Sequence, residues 1–535
     1  MKRISLDKME LVFRWTLLAF FTALFLLKAY TTLHWRIEHD TALCHYVAFL
    51  MDKHGLVPYR DFFETSMPGT FAFHYGIVKG FGYGDVAFRH IDLAILGGLL
   101  LATYAFMRRF GRQAAVAGIV LLGLLYFAKG QTMSLQRDYI GVIPVAFALL
   151  AIPARLGNPV RLARFAWIGL LFCLSVLIKP HLGIAFPVVF GCLLAARWIS
   201  SPKSMPDFLK CAAAALVPLA IPSLLTLIWL AAHSALGPFL ETLRYLPLYN
   251  SMTGALVRLS TLNFAFYLAE STIKFGGYSA VWMCALFAYY HVAVKAGEDK
   301  SISIPLTCLI LCTFAYALYP ALAGKFYNYH YMPFAYFCSL SAGLCLFSGS
   351  RPPMPDSMRG LRRFLPALIL LIAATTQLSL PRYLASTALD IRQNSAAHAP
   401  KKGRVDEIAC WLKDRLHPGY TVQPLDVTGG SIHGMLLAKA KLATRFQCDY
   451  HFYHHVSSPF IRQLRQSFIQ QLRDAPPRFI IDVLDKVRVS GIDTSNEFPE
   501  LQEILDADYV VACKGDGYLI YERKSAPRAS DALVP

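Results

Sequence analysis

Residues 211–232, CAAAALVPLAIPSLLTLIWLAA, hold no charged side chain. A run of about 20 such residues is what a helix needs to cross roughly 30 Å of hydrocarbon. Inside a bilayer a helix also satisfies its own backbone polar groups, which few other structures can do. Similar apolar runs fall at approximately 10–30, 87–107, 113–129, 139–154, 164–178, 183–197, 208–232, 275–293, 303–323, 332–348 and 363–381. The chain is 56% hydrophobic and only 16% charged, against about 25% charged in soluble domains. A cytosolic globular protein, a disulfide scaffold and a disordered chain are thereby excluded. The expected fold class is an α-helical polytopic membrane protein with about eleven transmembrane helices.

An odd number of spans puts the two termini on opposite sides. The first run follows MKRISLDK, a basic stretch like that of a signal peptide, but it is long and lacks a small-residue cleavage site, so an uncleaved first span is expected. Eighteen basic residues fall in short loops on one side, among them Arg108, Arg109, Arg112, Arg197, Lys203 and Lys210. The longer loops of the other side carry nine. The positive-inside rule then places the N-terminus in the cytoplasm and the C-terminus outside, as in a multi-pass bacterial inner membrane protein. The net charge of +18 is read as topology, not as a nucleic-acid surface.

After about residue 382 the pattern changes. Helix-like segments such as FIRQLRQSFIQQLRD alternate with strand-like ones such as RFIIDVL, and YVVACKGDGYLIYER reads as a hairpin turning at Gly515-Asp516-Gly517. The domain expectation is a membrane part at 1–382, a linker at 383–399, a small periplasmic α/β domain at 400–525 and a disordered tail at 526–535. Eight of the 12 cysteines lie in or beside apolar runs, where small packing roles are expected. No CxxC occurs, and no metal site is expected.

The first outer loop, 31–68 with its continuation to about 86, is long and rich in aromatic and polar residues. Ala42, Tyr46, Phe49 and Leu50 form one helical stripe, and Phe71, Tyr75 and Val78 another, as in short helices lying at a membrane interface. Pro58–Glu64 separates them. Four acids gather here: Glu38, Asp40, Asp61 and Glu64. They either form ordinary surface pairs with Arg36 and Arg60 or serve chemistry, since an acid at the mouth of an apolar cavity can act as a general base.

Asp40 shortly after the first span, then Tyr46-x-Ala48, Gly55-x-x-Pro58-Tyr59-Arg60-Asp61-Phe62-Phe63-Glu64, Pro68-Gly69 and Ala87–Leu93 resemble the first-loop segments of bacterial GT-C glycosyltransferases. The relatives in question are the protein O-mannosyltransferases and aminoarabinose transferases. The motif-level match covers residues 35–95; the architecture matches over nearly the whole chain. The resemblance implies transfer of a sugar from a polyprenyl-phosphate donor to a lipid, glycan or protein acceptor on the periplasmic face. It implies Asp40 as the base and Glu64 as the second acid, with Asp61 and Glu38 as neighbouring candidates. Two departures stand out: Thr65, Ser66 and Met67 occupy the place of a lysine after the second acid, and Thr41 that of an acid after the first.

Donor phosphate then needs other cations. Arg137, Lys179 and Lys325 sit at outward span ends, and Arg60 and Arg89 lie in the matching segments. A fixed cation at that height stabilises bound and departing phosphate, although cations there also snorkel to headgroups. Tyr59, His181, Tyr327 and His330 are candidates for the substrate pocket. A phosphate is already a good leaving group, so no cofactor is required, and a single displacement with one base inverts the anomeric centre. Two readings from other classes remain: a transporter or flippase of lipid-linked glycans, and a non-catalytic membrane scaffold with a periplasmic binding domain. The first would be expected to show related halves with broken helices.

Overall fold

The computed structural model describes residues 6–38, 40–154, 160–200, 203–251, 274–296, 302–323, 326–347, 359–396, 403–485 and 493–524, with 266, 269 and 270. Helices among the described residues of the first half include α1 Leu6–Thr31, α2 Asp40–His54, α3 Pro68–Phe81, α4 Asp85–Met107, α5 Arg112–Ala128, α6 Arg137–Ala148, α7 Leu162–Ile178, α8 Phe186–Ser200, α9 Met205–Ala232 and α10 Leu236–Ser251. Later helices include Ser279–Ala296, Ser303–Ala317, Met332–Gly343, Arg359–Leu378 and Leu380–Ala396. The chain divides into two compact units. The first holds residues 1–36, 89–226 and 261–398; the second holds 37–88, 227–260 and 399–535.

In the first unit, spanning helices follow directly from the apolar runs. Among the described residues five helical segments are long and apolar enough to cross a membrane: Leu6–His34, Asp85–Phe110, Pro180–Ile199, Met205–Ala232 and Ser303–Leu322. A sixth arises if Arg363–Leu378 and Leu380–Arg392, bent by 57°, form one broken span. Arg112–Ala128 and Leu162–Ile178 are apolar but shorter. The eleven runs of the sequence therefore map onto helices of mixed length, five or six of them of spanning length. On α9 Leu216, Val217, Ile221, Leu224 and Leu225 are all exposed, the pattern of a helix surface suited to lipid. Apolar side chains stay outside because the surrounding solvent is itself apolar.

Close helix packing rests on small residues. A Cβ on Gly343 would lie 2.7 Å from the Ala114 carbonyl oxygen and from the Gly118 nitrogen of α5. One on Gly169 of α7 would meet the Ala215 carbonyl oxygen of α9 at 1.9 Å. Both positions thus set how near two backbones come.

The polar heart of this unit is Arg89. Its side chain is fully buried and pairs with Asp92 one turn on. Nε donates to the Thr32 carbonyl at 3.0 Å, and the terminal nitrogens donate to Thr32 Oγ1 at 2.6 Å and Ser134 Oγ at 3.2 Å. The guanidinium also lies 4.6 Å from the Trp35 ring centre. Asp92 accepts from the Tyr126 hydroxyl at 2.6 Å and the Leu135 N–H at 3.2 Å. Arg89 was a candidate phosphate ligand on its motif; its geometry instead gives it a structural task, because a guanidinium committed to four protein acceptors has little left for a ligand.

The expected linker at 383–399 is largely helix, Leu380–Ala396. Its Asp390 pairs with Lys28 of α1 at 2.6 Å, and that buried pair gives the segment a partner that local composition does not reveal.

The second unit carries a five-stranded sheet from β1 Thr421–Leu425, β2 Lys441–Leu442, β3 Phe479–Val483, β4 Tyr509–Gly515 and β5 Tyr518–Arg523, ordered β2-β1-β3-β5-β4. β1 runs parallel to β2 and β3, while β5 is antiparallel to β3 and β4. Pro424 is tolerated in β1 because the β2 ladder stops at Val422. The β4–β5 hairpin turns where the sequence places it, with Gly517 at φ 73°. Helix Pro459–Asp474 buries Ile461, Leu464, Phe468 and Leu472 at helical spacing into this core.

Breaking the Arg89–Asp92 pair should cost about 3–5 kcal/mol, since it leaves an uncompensated buried charge. Asp92→Asn should therefore inactivate at distinctly lower temperature in detergent than wild type. Equal melting of the two proteins would show that the pair carries no such load.

Candidate functional site

The first-loop acids all belong to the second unit, and the local sequence explains how each is placed. The apolar stripe expected from Thr41 to Lys53 is helix α2, and Asp40 occupies its first turn. A carboxylate there is favoured by the N-terminal end of the helix dipole. Asp40 and Glu38 are both half-buried. After Gly55 the chain turns through Pro58–Phe62, with Tyr59 in the left-handed region at φ 70°. The Tyr59 hydroxyl donates to the Ser66 carbonyl at 2.6 Å, and its ring packs against Phe71 and Phe239. Burial, then the nearby Glu64 charge, push the Tyr59 phenol well above its usual range.

Asp61 and Glu64 come out of this turn with different surroundings. Asp61 accepts from the Val57 N–H at 2.6 Å and pairs with exposed Arg60 at 2.8 Å. Burial would raise its carboxyl, but Arg60 and the Val57 N–H together pull it lower. This pair closes the turn, and it also occupies Arg60. Glu64 is buried at 6% exposure. Its Oε1 accepts from the Thr65 N–H at 2.8 Å, the Ser66 N–H at 3.1 Å and Ser66 Oγ at 3.2 Å. Thr65 and Ser66, two of the positions that depart from the resemblance, thus bind Glu64 Oε1. Its neighbour Phe63 anchors the loop: the ring packs 5.7 Å from Phe446 and 5.4 Å from Tyr245, and its N–H donates to the Arg445 carbonyl at 2.7 Å.

Sequence reasoning missed the groups beside that anchor. The Tyr245 hydroxyl lies 2.8 Å from both His451 Nδ1 and His454 Nε2. A hydroxyl carries one proton, so at least one imidazole must donate to it, which fixes that ring's tautomer. Burial raises the Tyr245 phenol, and neighbouring tyrosines, Cys448 and Glu64 add to the effect. The signal available was the dense run Tyr450-His451-Phe452-Tyr453-His454-His455.

The remaining candidates lie in the first unit, and four of them come together. Lys179 Nζ is 2.8 and 3.0 Å from the oxygens of buried Asp138, which also accepts from the Tyr319 hydroxyl at 2.5 Å. Arg137 and His330 act electrostatically on Tyr319 and Asp138 respectively, and the His181 ring is 6.2 Å from that of Tyr319. His181 Nδ1 is buried without a hydrogen-bond partner among the described residues. Tyr327 is exposed and packs 5.6 Å from His330. Lys325 lies outside the described residues. The proline after Lys179 and the adjacent 3-10 turn, Pro180–Ala185, place Lys179 at a break between helices. Among the described residues no group of three or more His, Cys, Asp or Glu could hold a metal.

Comparison with solved structures places this arrangement. The chain matches the crystal structure of ArnT from Cupriavidus metallidurans bound to undecaprenyl phosphate over 94% of its own length and 97% of that chain, at TM-score 0.56 and 12% identity. The same enzyme in the apo state gives 0.55 and 13%, with the same coverage. This chain has the GT-C glycosyltransferase fold. A weaker match is the Archaeoglobus fulgidus oligosaccharyltransferase, at TM-score 0.46 over 87% of this chain and 70% of that one, with 11% identity. No family model and no curated protein matches the sequence.

His45 of α2 is placed to make the second unit sensitive to acid. It is fully buried, 3.4 Å from His74 of α3, and faces the His433–Asp85 pair, itself 2.9 Å apart. Burial first, then His433, lower it from 6.5 to about 4, against an upward pull from Asp85. Above pH 6.5 both folded and unfolded chains hold it neutral. As pH falls towards 4 the unfolded chain takes up a proton that the fold refuses, so stability drops by roughly 3 kcal/mol. The melting temperature in detergent should fall between about pH 7 and 4.5, and His45→Gln should flatten that fall. An identical pH profile in the variant would rule His45 out as the cause.

Proposed function

We propose that this chain is a membrane glycosyltransferase that moves a sugar from a polyprenyl-phosphate donor to a cell-envelope acceptor, with Asp40 as general base. The observation that carries this reading is the near full-length fold match to ArnT, one of whose crystal structures holds undecaprenyl phosphate. The first-loop acids supply the chemistry. Asp40 takes the proton of the acceptor hydroxyl, and the acceptor oxygen attacks the anomeric carbon from the face opposite the phosphate. The bond from that carbon to the phosphate oxygen breaks, and its electron pair leaves with the phosphate. One such displacement inverts the anomeric centre.

Glu64 serves in this scheme as a fixed charge, because its Oε1 is already bound by the Thr65 and Ser66 donors. Arg137 and Lys179 are the proposed phosphate cations. Asp138 holds the Lys179 ammonium in place through both of its carboxylate oxygens. Orientation follows the basic asymmetry of the loops, with the second unit's C-terminal domain in the periplasm.

A positioned base contributes about 10²–10⁴-fold. Asp40→Asn should lose that factor in transfer from a polyprenyl-phosphate sugar while still binding donor; Glu64→Gln should lose less. Retention of more than about a tenth of the activity by Asp40→Asn, against the 10²-fold minimum, moves the base to Glu38. Full activity in both variants favours the scaffold or transporter reading. For topology, a periplasm-dependent reporter fused after Lys524 should be active and one fused at Arg109 silent; the reverse pattern overturns the orientation.

A further inference from the structure

At the end of the first unit where α1 and α5 finish and helix Ser279–Ala296 begins lies a cavity of about 370 Å³. Three cations line it, Lys28, Lys129 and Arg382, and among the described residues no carboxylate does. Lys28 is neutralised by Asp390 from outside the lining. Lys129 rests 4.5 Å from the Tyr278 ring centre and 3.5 Å from the Gly276 carbonyl, and no carboxylate pairs with it among the described residues. Arg382 is exposed and has no ion-pair partner among the described residues.

The same walls hold unused hydrogen-bonding groups. The hydroxyls of Tyr278 and Tyr383 are buried, at 0% and 4% residue exposure, and neither has a partner among the described residues. Buried hydroxyls are normally satisfied, so two in one cavity point to a missing acceptor. Gln377 is fixed by donating its amide to the Gly277 carbonyl at 2.7 Å. Backbone strain also sits here: Ser379, at φ 47°, breaks the helix at the 57° bend and turns Arg382 and Tyr383 to the cavity wall.

Two cations with no carboxylate partner and two buried hydroxyls with no hydrogen-bond partner, among the described residues, suit an anion with several oxygens. A phosphate offers them, and charge-assisted bonds from Lys and Arg hold it. The helices that form the cavity expose apolar side chains along their length, Leu26, Leu27 and Tyr30 on α1 and Leu384 on Leu380–Ala396. An acyl or prenyl chain would lie against such surfaces, whereas a free phosphate would not use them.

We propose that this cavity binds the phosphate of a lipid headgroup. None of its residues belongs to the first-loop acids or to the Lys179–Asp138 cluster, so the site goes beyond the proposed reaction.

The test is lipid retention by the full-length protein in detergent, read by native mass spectrometry. The probes are phosphatidylglycerol, undecaprenyl phosphate, diacylglycerol and inorganic phosphate. Both phosphate lipids should be retained and diacylglycerol should not. Lys129→Gln and Arg382→Gln should each weaken retention about tenfold or more, Lys129→Arg should restore it, and Lys210→Gln, an equal change in charge at an exposed position, should leave it intact. Melting curves show whether each variant is folded. Asp40→Asn should retain lipid as wild type does, so failure of the catalytic reading and failure of this one are distinguishable. Equal retention of diacylglycerol, or unchanged retention in folded Lys129→Gln and Arg382→Gln proteins, overturns the proposal. Inorganic phosphate binding on its own and displacing both lipids would overturn the lipid as the source.

Discussion

A fully buried charge pair, Arg89 with Asp92, holds the first unit together where its helices end. Charges out of water must be matched by near-complete hydrogen bonding, and here the matching groups come from four places: Thr32 after α1, Asp92 in α4, Tyr126 in α5 and the Ser134–Leu135 turn. The pair thereby links the end of α1, the start of α4 and the end of α5. The cation-lined cavity and the Lys179–Asp138 cluster also sit at helix ends and breaks, where side chains can meet polar ligands without leaving backbone groups unpaired.

In the second unit the corresponding constraint is aromatic. Phe63 is buried in the core of the C-terminal domain, and that insertion fixes the residue after it, Glu64. The sheet and its helices are thus part of the apparatus that positions the loop acid, which gives a structural reason for a small α/β domain to accompany the membrane helices.

Much of this was legible locally. The stripes of residues 41–53 and of Phe71, Tyr75 and Val78 lie on helices α2 and α3, and the Gly515-Asp516-Gly517 turn closes a hairpin, because both signals depend on neighbours in sequence. What sequence hid was partnership at a distance. Tyr245 meets His451 and His454 across 206 and 209 positions, and Lys28 meets Asp390 across 362, so a polar stretch reads as linker although it is helix. Arg89 shows the intermediate case. Its spacing to Asp92, three residues along one helix, was visible and favoured an ion pair, yet the motif around it drew it towards phosphate.

The most direct test of the central claim is to follow the lipid. Purified protein in liposomes, supplied with a polyprenyl-phosphate sugar and envelope extract as acceptor, should release free polyprenyl phosphate in step with the appearance of glycosylated acceptor, both read by mass spectrometry. Movement of the intact lipid-linked sugar across the bilayer, with no lipid phosphate released, would contradict the account.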